Sequence, residues 1–237
     1  MNVSRNVMKK VKAKKEGEVI TYDEFAYLDN FNAVALALGR LNKSGYIRRL
    51  SKGIYYKPKE TSYGPVRPNE NEILKKILLK NNKGYISGAV AFNKLGLSTQ
   101  VPNTIEIRGS NSSRLTKIGK LRIKYKKSNT EFKSDDVNLL QLLDSLQDIK
   151  KISDTNVNEV YVRIKEKILG LAEERIKRLA QLSKDRRPQV RALVGSILDE
   201  EKPDFAMPLF KSLNSLSVYK IGLREEIVPN KKKWKIK

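Results

Sequence analysis

The chain has 237 residues, 39% of them hydrophobic, enough for one large domain or two to three small ones with real cores. Lys and Arg number 49 against 26 Asp and Glu, a net charge of +23, which implies a polyanion close by: DNA, RNA or an anionic membrane face. Cysteine and histidine are absent, which excludes disulfides, thiolate zinc sites, imidazole metal ligands, histidine acid–base catalysis and Ser-His triads.

No run of ~18 apolar residues occurs, so no membrane helix and no membrane partner are expected. The N-terminal charges have no apolar stretch behind them, unlike a signal peptide, and the expected compartment is the cytoplasm. The positive surplus sits in residues 1–134 and in the tail beyond 205, while 135–204 is close to neutral. That division suggests nucleic acid on the first half and a different task for the later block.

In chain order, Val3–Lys15 reads as a helix with Val3, Val7, Met8 and Val11 inward; its lysine face is either solvated or directed at phosphates. Val19 and Ile20 form a short extended pair. Thr21 is placed to cap a helix over Tyr22–Leu28, with Glu24 at the capping-box position. A turn at Asp29–Asn32 leads into a helix whose apolar positions Val34, Ala37, Leu38 and Leu41 recur at i, i+3, i+4 and i+7. Asn32 is the expected cap and Gly45 the expected stop.

Two alternating runs follow, Tyr46–Leu50 and Ile54–Lys57, joined by Ser51-Lys52-Gly53, which reads as a β-hairpin. Helix, extended pair, helix, turn, helix and basic hairpin is the order of a winged helix-turn-helix, in which the last helix enters the major groove. The candidate DNA contacts are Asn32, Leu36, Arg40 and Lys43 on the helix. On the wing they are Arg48, Arg49, Ser51, Lys52, Tyr55 and Lys57, with cations lying along phosphates. Leu36 is either a thymine-methyl contact or a core residue.

Glu60–Pro68, interrupted by Gly64, Pro65 and Pro68, reads as a linker, so the expected domains are 1–67 and 68–237. In the second, 68–134 is a basic α+β part. It holds helices at Glu70–Lys80 and Gly88–Leu95, the latter closed by Gly96, and extended segments at Thr104–Arg108, Leu115–Ile118 and Leu121–Lys126. Gly119-Lys120 is the turn between the last two. In the final strand Leu121, Ile123 and Tyr125 alternate with Arg122, Lys124 and Lys126, a secondary basic surface. Residues 135–237 read as mainly helical: Val137–Ile149, one long helix over Val157–Leu182, and a helix opened by Pro188. Pro203 and Pro208 break off a short segment, Leu216–Leu223 is a strand or helix, and Asn230–Lys237 is expected to be a mobile, solvated tail. The fold class is therefore α+β: a winged helix-turn-helix, a mixed part and a helical part.

The string ALGRLNKSGYIRRLSKGIYYKPK resembles the end of the winged helix in the AbiEi-type antitoxins of abortive-infection, type IV toxin–antitoxin operons. SGAVAFNKLGLSTQVP (87–102) is similar to that family's next segment, and RRPQVRALVGSILDE (186–200) resembles its C-terminal helical part. The resemblance covers most of the chain in order. It implies a cytoplasmic transcriptional autorepressor that binds double-stranded operator DNA in its own promoter, as a monomer able to pair on DNA. It further implies that the second domain counteracts a cognate nucleotidyltransferase-like toxin, in phage defence. One departure is that Ala33, Ala35, Leu36 and Gly39 occupy the open face of the recognition helix, where relatives carry polar or basic residues.

No catalytic, cofactor or metal site is expected. Gly109-Ser110 after a strand invites comparison with a nucleotidyltransferase, but that chemistry needs paired carboxylates for Mg²⁺. The downstream strand carries cations instead, and Asp135-Asp136 are adjacent, so on an extended chain they point apart. No P-loop sequence occurs. The alternative function is a nucleic-acid-processing enzyme or its RNA- or DNA-binding subunit.

Overall fold

A computed structural model describes residues 2–81, 84–109, 113–128 and 130–237, with backbone only at 79–81. The chain divides into two compact units, residues 1–84 with Leu115–Ile123, and residues 85–114 with Lys124–Lys237. The expected boundary at 67/68 lies within the first of these.

The first unit opens with α1 (Val3–Lys12), capped by Asn2, whose side chain accepts from the Arg5 N–H. β1 (Val19–Thr21) follows, then a 3-10 turn over Tyr22–Leu28 in which Glu24 accepts from the Thr21 N–H at 3.1 Å, as the capping box requires. Glu24 also pairs with Lys14 at 2.8 Å and with Lys76 at 3.0 Å, tying three segments together. Asp29, at φ +47°, turns the chain into α2 (Phe31–Lys43). The cap is Asn30, not Asn32: its Oδ1 accepts from the Ala33 N–H at 3.0 Å, and Asn32 lies inside the helix.

β2 (Arg48–Ser51) and β3 (Ile54–Tyr56) form the wing hairpin, and β3 also pairs with β1, giving a sheet of order β1-β3-β2. The hairpin turn is tighter than the three-residue connector expected, because Ser51 joins β2 through a bulge between Arg49 and Ser51. Gly53 is required there twice over: its φ is +74°, and a Cβ would meet the Tyr22 ring at 2.7 Å. Val7, Val11, Ile20, Phe25, Val34, Ala37, Leu38, Leu41, Ile47 and Tyr55 make one core.

The expected linker is partly regular. β4 (Lys59–Thr61) and β5 (Gly64–Val66) form a second hairpin, with Glu60 opposite Pro65. Pro65 is tolerated because a two-stranded ribbon has edges where no ladder N–H is needed. α3 (Glu70–Asn81) follows, burying Ile73 and Ile77.

β6 (Gly84–Ser87), a strand not expected, precedes α4 (Ala89–Lys94), which Gly96 closes at φ +69°. β7 (Ile105–Gly109), β8 (Arg114–Ile118) and β9 (Leu121–Lys127) complete a four-stranded sheet of order β6-β7-β9-β8. Along β9, Leu121, Ile123 and Tyr125 are buried, as their alternation with cations predicts.

α5 (Val137–Gln147) buries Leu139, Leu140, Leu142, Leu143 and Leu146 at the centre of the second unit. The long helix expected over Val157–Leu182 is two, α6 (Val157–Leu169) and α7 (Glu173–Ser183), separated at Gly170-Leu171-Ala172. Gly170 ends α6, so its low helix propensity outweighs the continuous apolar periodicity. α8 (Pro188–Leu198) starts with Pro188 as expected. The short segment expected beyond it is α9 (Pro203–Lys211), which starts on Pro203 and holds Pro208 within it.

Leu216–Leu223 is neither regular strand nor helix; Tyr219 bridges to Ile236. The C-terminal tail exposes Lys232, Lys233 and Lys237, as a solvated end would, but its apolar residues are packed into the fold. Trp234 is fully buried and Ile236 is 4% exposed. The Tyr219 N–H donates to the Lys235 carbonyl at 2.7 Å, and the Lys237 N–H to the Tyr219 carbonyl at 2.9 Å. Trp234 lies on Gly195 of α8 so closely that a Cβ there would fall 1.9 Å from the ring.

A buried polar cluster centres on Asp144 of α5, which is 1% exposed. Its Oδ1 accepts from Arg108 Nη1 at 3.0 Å and Arg186 Nη1 at 2.9 Å. Its Oδ2 accepts from the Tyr85 hydroxyl at 2.9 Å and the Ser87 hydroxyl at 2.6 Å. Four donors match the acceptor capacity of one carboxylate. Arg108 also donates to Glu106 at 3.1 Å and Asp148 at 2.9 Å. Burial pushes the Asp148 carboxyl up, but Lys151 and Arg108 outweigh that and hold it below the ordinary range. Burial and the charge of Asp144 push the Tyr85 hydroxyl up, keeping it a neutral donor.

Candidate nucleic-acid interface

The open face of α2 is a stripe. Asn32, Leu36, Arg40 and Lys43 follow one another at helical spacing and are all exposed. Leu36 is 63% exposed, which removes it from the core, and Phe31 at the start of the helix is exposed to the same degree. Ala33, Ala35 and Gly39 are half-buried and short, so the helix backbone lies near the surface between the longer side chains. Adding a Cβ at Gly39 would meet nothing within 4 Å.

On the wing, Arg48, Arg49 and Lys52 are exposed and Ser51 is half-buried. Ile47 and Ile54 anchor the hairpin inward, with Leu50 half-buried beside them. Arg49 donates from Nε to the Ser51 carbonyl at 3.3 Å, which draws its guanidinium toward the bulge.

Two expected contacts do not belong to this surface. Tyr55 is 4% exposed and part of the core, edge-on to Tyr22 with ring centroids 6.2 Å apart; it lies on β3, the central strand, where both faces are covered. Lys57 turns its ammonium to the end of α1, donating to the Lys14 carbonyl at 2.9 Å and the Lys12 carbonyl at 3.3 Å. A cation at a helix C-terminus is favoured by the unpaired carbonyls and the helix dipole.

A cleft of about 730 Å³ opens between the end of α2, β2 and the second hairpin. Lys43, Arg48, Arg49 and Arg67 line it, with Asn42, Leu50, Tyr56 and Pro65, and no carboxylate is among the lining residues. Arg67 and Asn42 had no signal in the sequence: Arg67 closes an apparent linker and Asn42 falls between the inward Leu41 and the outward Lys43. Of the lysines expected on one helix over Val3–Lys15, which ends at Lys12, Lys9, Lys12 and Lys15 are exposed. Lys10 instead donates to the Glu24 carbonyl beneath Tyr27, and Lys14 pairs with Glu18 at 2.6 Å.

In the secondary basic surface, Arg122 and Lys124 are exposed. Lys126 is committed to Glu106 at 2.5 Å, since that carboxylate sits on the neighbouring strand β7. Gly109 ends β7, and Ser110 lies outside the described residues. Asp136 is held by Arg178 at 2.7 and 3.0 Å; those hydrogen bonds keep its carboxyl below the ordinary range despite burial. Among the described residues no three acidic side chains gather where they could share a metal ion, and no helix is long and apolar enough to cross a membrane.

The segments that carry the family resemblance have structural roles. Ser87 and Arg186, at the starts of two of them, meet at Asp144. Ser98 and Thr99 are held by Asp154, which accepts from the Ser98 hydroxyl at 2.8 Å and the Thr99 N–H at 2.7 Å.

No curated protein matches this chain. Among solved structures, it is similar to the RV2827C protein from Mycobacterium tuberculosis, at 13% identity and a TM-score of 0.48, covering 92% of this chain and 84% of that one. The pattern of a family described as "Family of unknown function (DUF6088)" matches residues 6–179, from within α1 to within α7. The chain therefore belongs to the DUF6088 family.

Proposed function

We propose that this protein is a DNA-binding antitoxin of a toxin–antitoxin operon, repressing its own promoter through the winged unit and counteracting a nucleotidyltransferase-like toxin in the cytoplasm. The observation that supports DNA binding best is the cleft where Lys43, Arg48, Arg49 and Arg67 converge beside the exposed stripe of α2 without an acidic neighbour in the lining. Phosphates in that cleft would set the α2 stripe against the major groove. With alanine and glycine on much of the helix, base reading falls to Asn32, Arg40 and Lys43, and Leu36 is free to meet a thymine methyl. The antitoxin part of the proposal rests on the resemblance to the AbiEi-type family.

The test is binding to a duplex carrying the protein's own promoter, with and without Mg²⁺. Retention of uncut duplex in both conditions supports a repressor; Mg²⁺-dependent cleavage would favour a nucleic-acid-processing enzyme. The variant Arg48→Ala/Arg49→Ala/Lys52→Ala should weaken binding to all duplexes alike. It should also flatten the log–log salt dependence by about 0.9 for each phosphate the wing no longer neutralises. An unchanged slope would remove the wing from the DNA. In cells, this variant should derepress the promoter yet still protect against the toxin; loss of protection would mean that repression accounts for the antitoxin effect.

Arg40→Ala should behave differently. A bidentate contact to guanine predicts a loss of about 1–3 kcal/mol on the operator and much less on random DNA. Equal losses on both duplexes would place Arg40 on a phosphate.

A further inference from the structure

The buried cluster around Asp144 reaches a second cleft, of about 500 Å³, that the DNA-binding proposal does not use. Its lining includes Arg108, Lys127, Ser128, Asp185, Arg186 and Arg187. Four of these residues are cations and one is an acid; Asp144, Asp148 and Glu106 balance the two buried arginines, so the charge open to a ligand is that of Lys127 and Arg187. Arg108 and Arg186 are 6% and 8% exposed. Their guanidinium groups are held in place by Asp144, and that of Arg108 also by Glu106 and Asp148. Arg186 Nε is buried and has no hydrogen-bond partner among the described residues. A buried N–H of a charged group is costly to leave unpaired, and a ligand oxygen would satisfy it.

Two further features favour an anion. Arg187 precedes the first residue of α8, an eleven-residue helix whose N-terminus has no side-chain cap, so its positive dipole end faces this region. Lys127 and Arg187 are exposed at the rim, where they can draw in charge from solvent. No aromatic side chain is among the lining residues, so the cleft offers no stacking platform for a base. Recognition would rest on ligand oxygens. The exposed guanidinium fork of Arg187, the Lys127 ammonium and the unpaired Arg186 Nε, with the Ser128 hydroxyl in the lining, suit the several oxygens of a phosphate better than a single carboxylate.

We infer that this cleft is a phosphate-binding site, taking the diphosphate of a nucleotide or the terminal phosphate of a nucleic-acid strand, with Arg108 and Arg186 as its floor and Lys127 and Arg187 as its rim. It lies wholly in the second unit and stands or falls independently of operator binding.

The probe is inorganic pyrophosphate, titrated calorimetrically into the full-length protein at physiological ionic strength. The rim variant Lys127→Ala/Arg187→Ala leaves the buried cluster intact, and emission from the single tryptophan, Trp234, checks that the second unit remains folded. Arg48→Ala/Arg49→Ala removes the same charge from the wing. One-to-one binding that drops at least tenfold in the rim variant, and stays within about twofold in the wing variant, supports the site. No binding by the wild type, equal affinity in the rim variant, or an equal loss in the wing variant overturns it. Two further arms separate the sources: ADP against adenosine, and a 5′-phosphorylated oligonucleotide against its 5′-hydroxyl form. A rim-dependent preference for the phosphorylated member in the first pair identifies a nucleotide, in the second a strand end; no preference in either pair also overturns the proposal.

Discussion

Asp144→Ala should destabilise the second unit by about 3–5 kcal/mol, because it leaves Arg108 and Arg186 buried without their shared counter-charge. The two guanidinium groups are not equally exposed to this loss. Arg108 retains Glu106 and Asp148, whereas the Arg186 guanidinium, among the described residues, retains the Tyr85 hydroxyl at 3.3 Å. Arg186→Met should therefore recover part of the stability in the Asp144→Ala background, since exchanging a whole buried ion pair for apolar atoms of similar volume is often close to neutral. Urea unfolding followed by Trp234 fluorescence reads this directly, as the single tryptophan lies in the second unit. A loss under about 1 kcal/mol would show that water reaches the cluster and that the carboxylate is not its hub.

Trp234→Ala should cost a further, separate ~3–5 kcal/mol, the usual range for deleting a fully buried aromatic side chain. The ring sits on Gly195, with Phe210 edge-on at 5.4 Å between centroids, so no neighbouring side chain can collapse into the space without moving α8 or α9. Gly195→Ala attacks the same packing from the other side, by overfilling it, and should be destabilising as well. Circular dichroism in urea measures both, since the first variant lacks the fluorophore. Unaltered midpoints would mean that the last eight residues are a loose appendage. Because Trp234 and Asp144 lie in different parts of the second unit, their effects should add within a few tenths of a kcal/mol if they do not couple through α8.

The pattern of agreement between sequence and structure has local physical causes. Periodicity was decisive wherever one face of an element is buried. The inward stripe of α2, the five leucines of α5 and the alternation along β9 each follow from the need to hide apolar side chains at a fixed spacing. Glycine at positive φ was equally legible, because Gly45 and Gly96 close helices where any other residue is strained. The cationic hairpin and the exposed stripe of α2 were readable for the same reason: they are what remains when the inward positions are assigned.

What could not be read depends on partners distant in sequence. The tail looks solvated because lysines surround Trp234, and its burial rests on Gly195 almost forty positions earlier, where a side chain as small as alanine would already exclude the ring. Tyr55 looks like a groove-facing aromatic until α1 and α2 pack on the sheet and take it into the core, and Lys57 looks like a phosphate ligand until the end of α1 supplies carbonyl acceptors. Arg67 becomes part of a cationic cleft only because a second hairpin forms in an apparent linker. Asp144 carried no signal at all among the leucines of α5; four donors from β6, β7 and the entry to α8 converge on it in space. Local composition specifies which residues must be buried, but the satisfaction of buried charge and the close fit of a ring on a backbone are properties of pairs, and the pairs are made only when the chain folds.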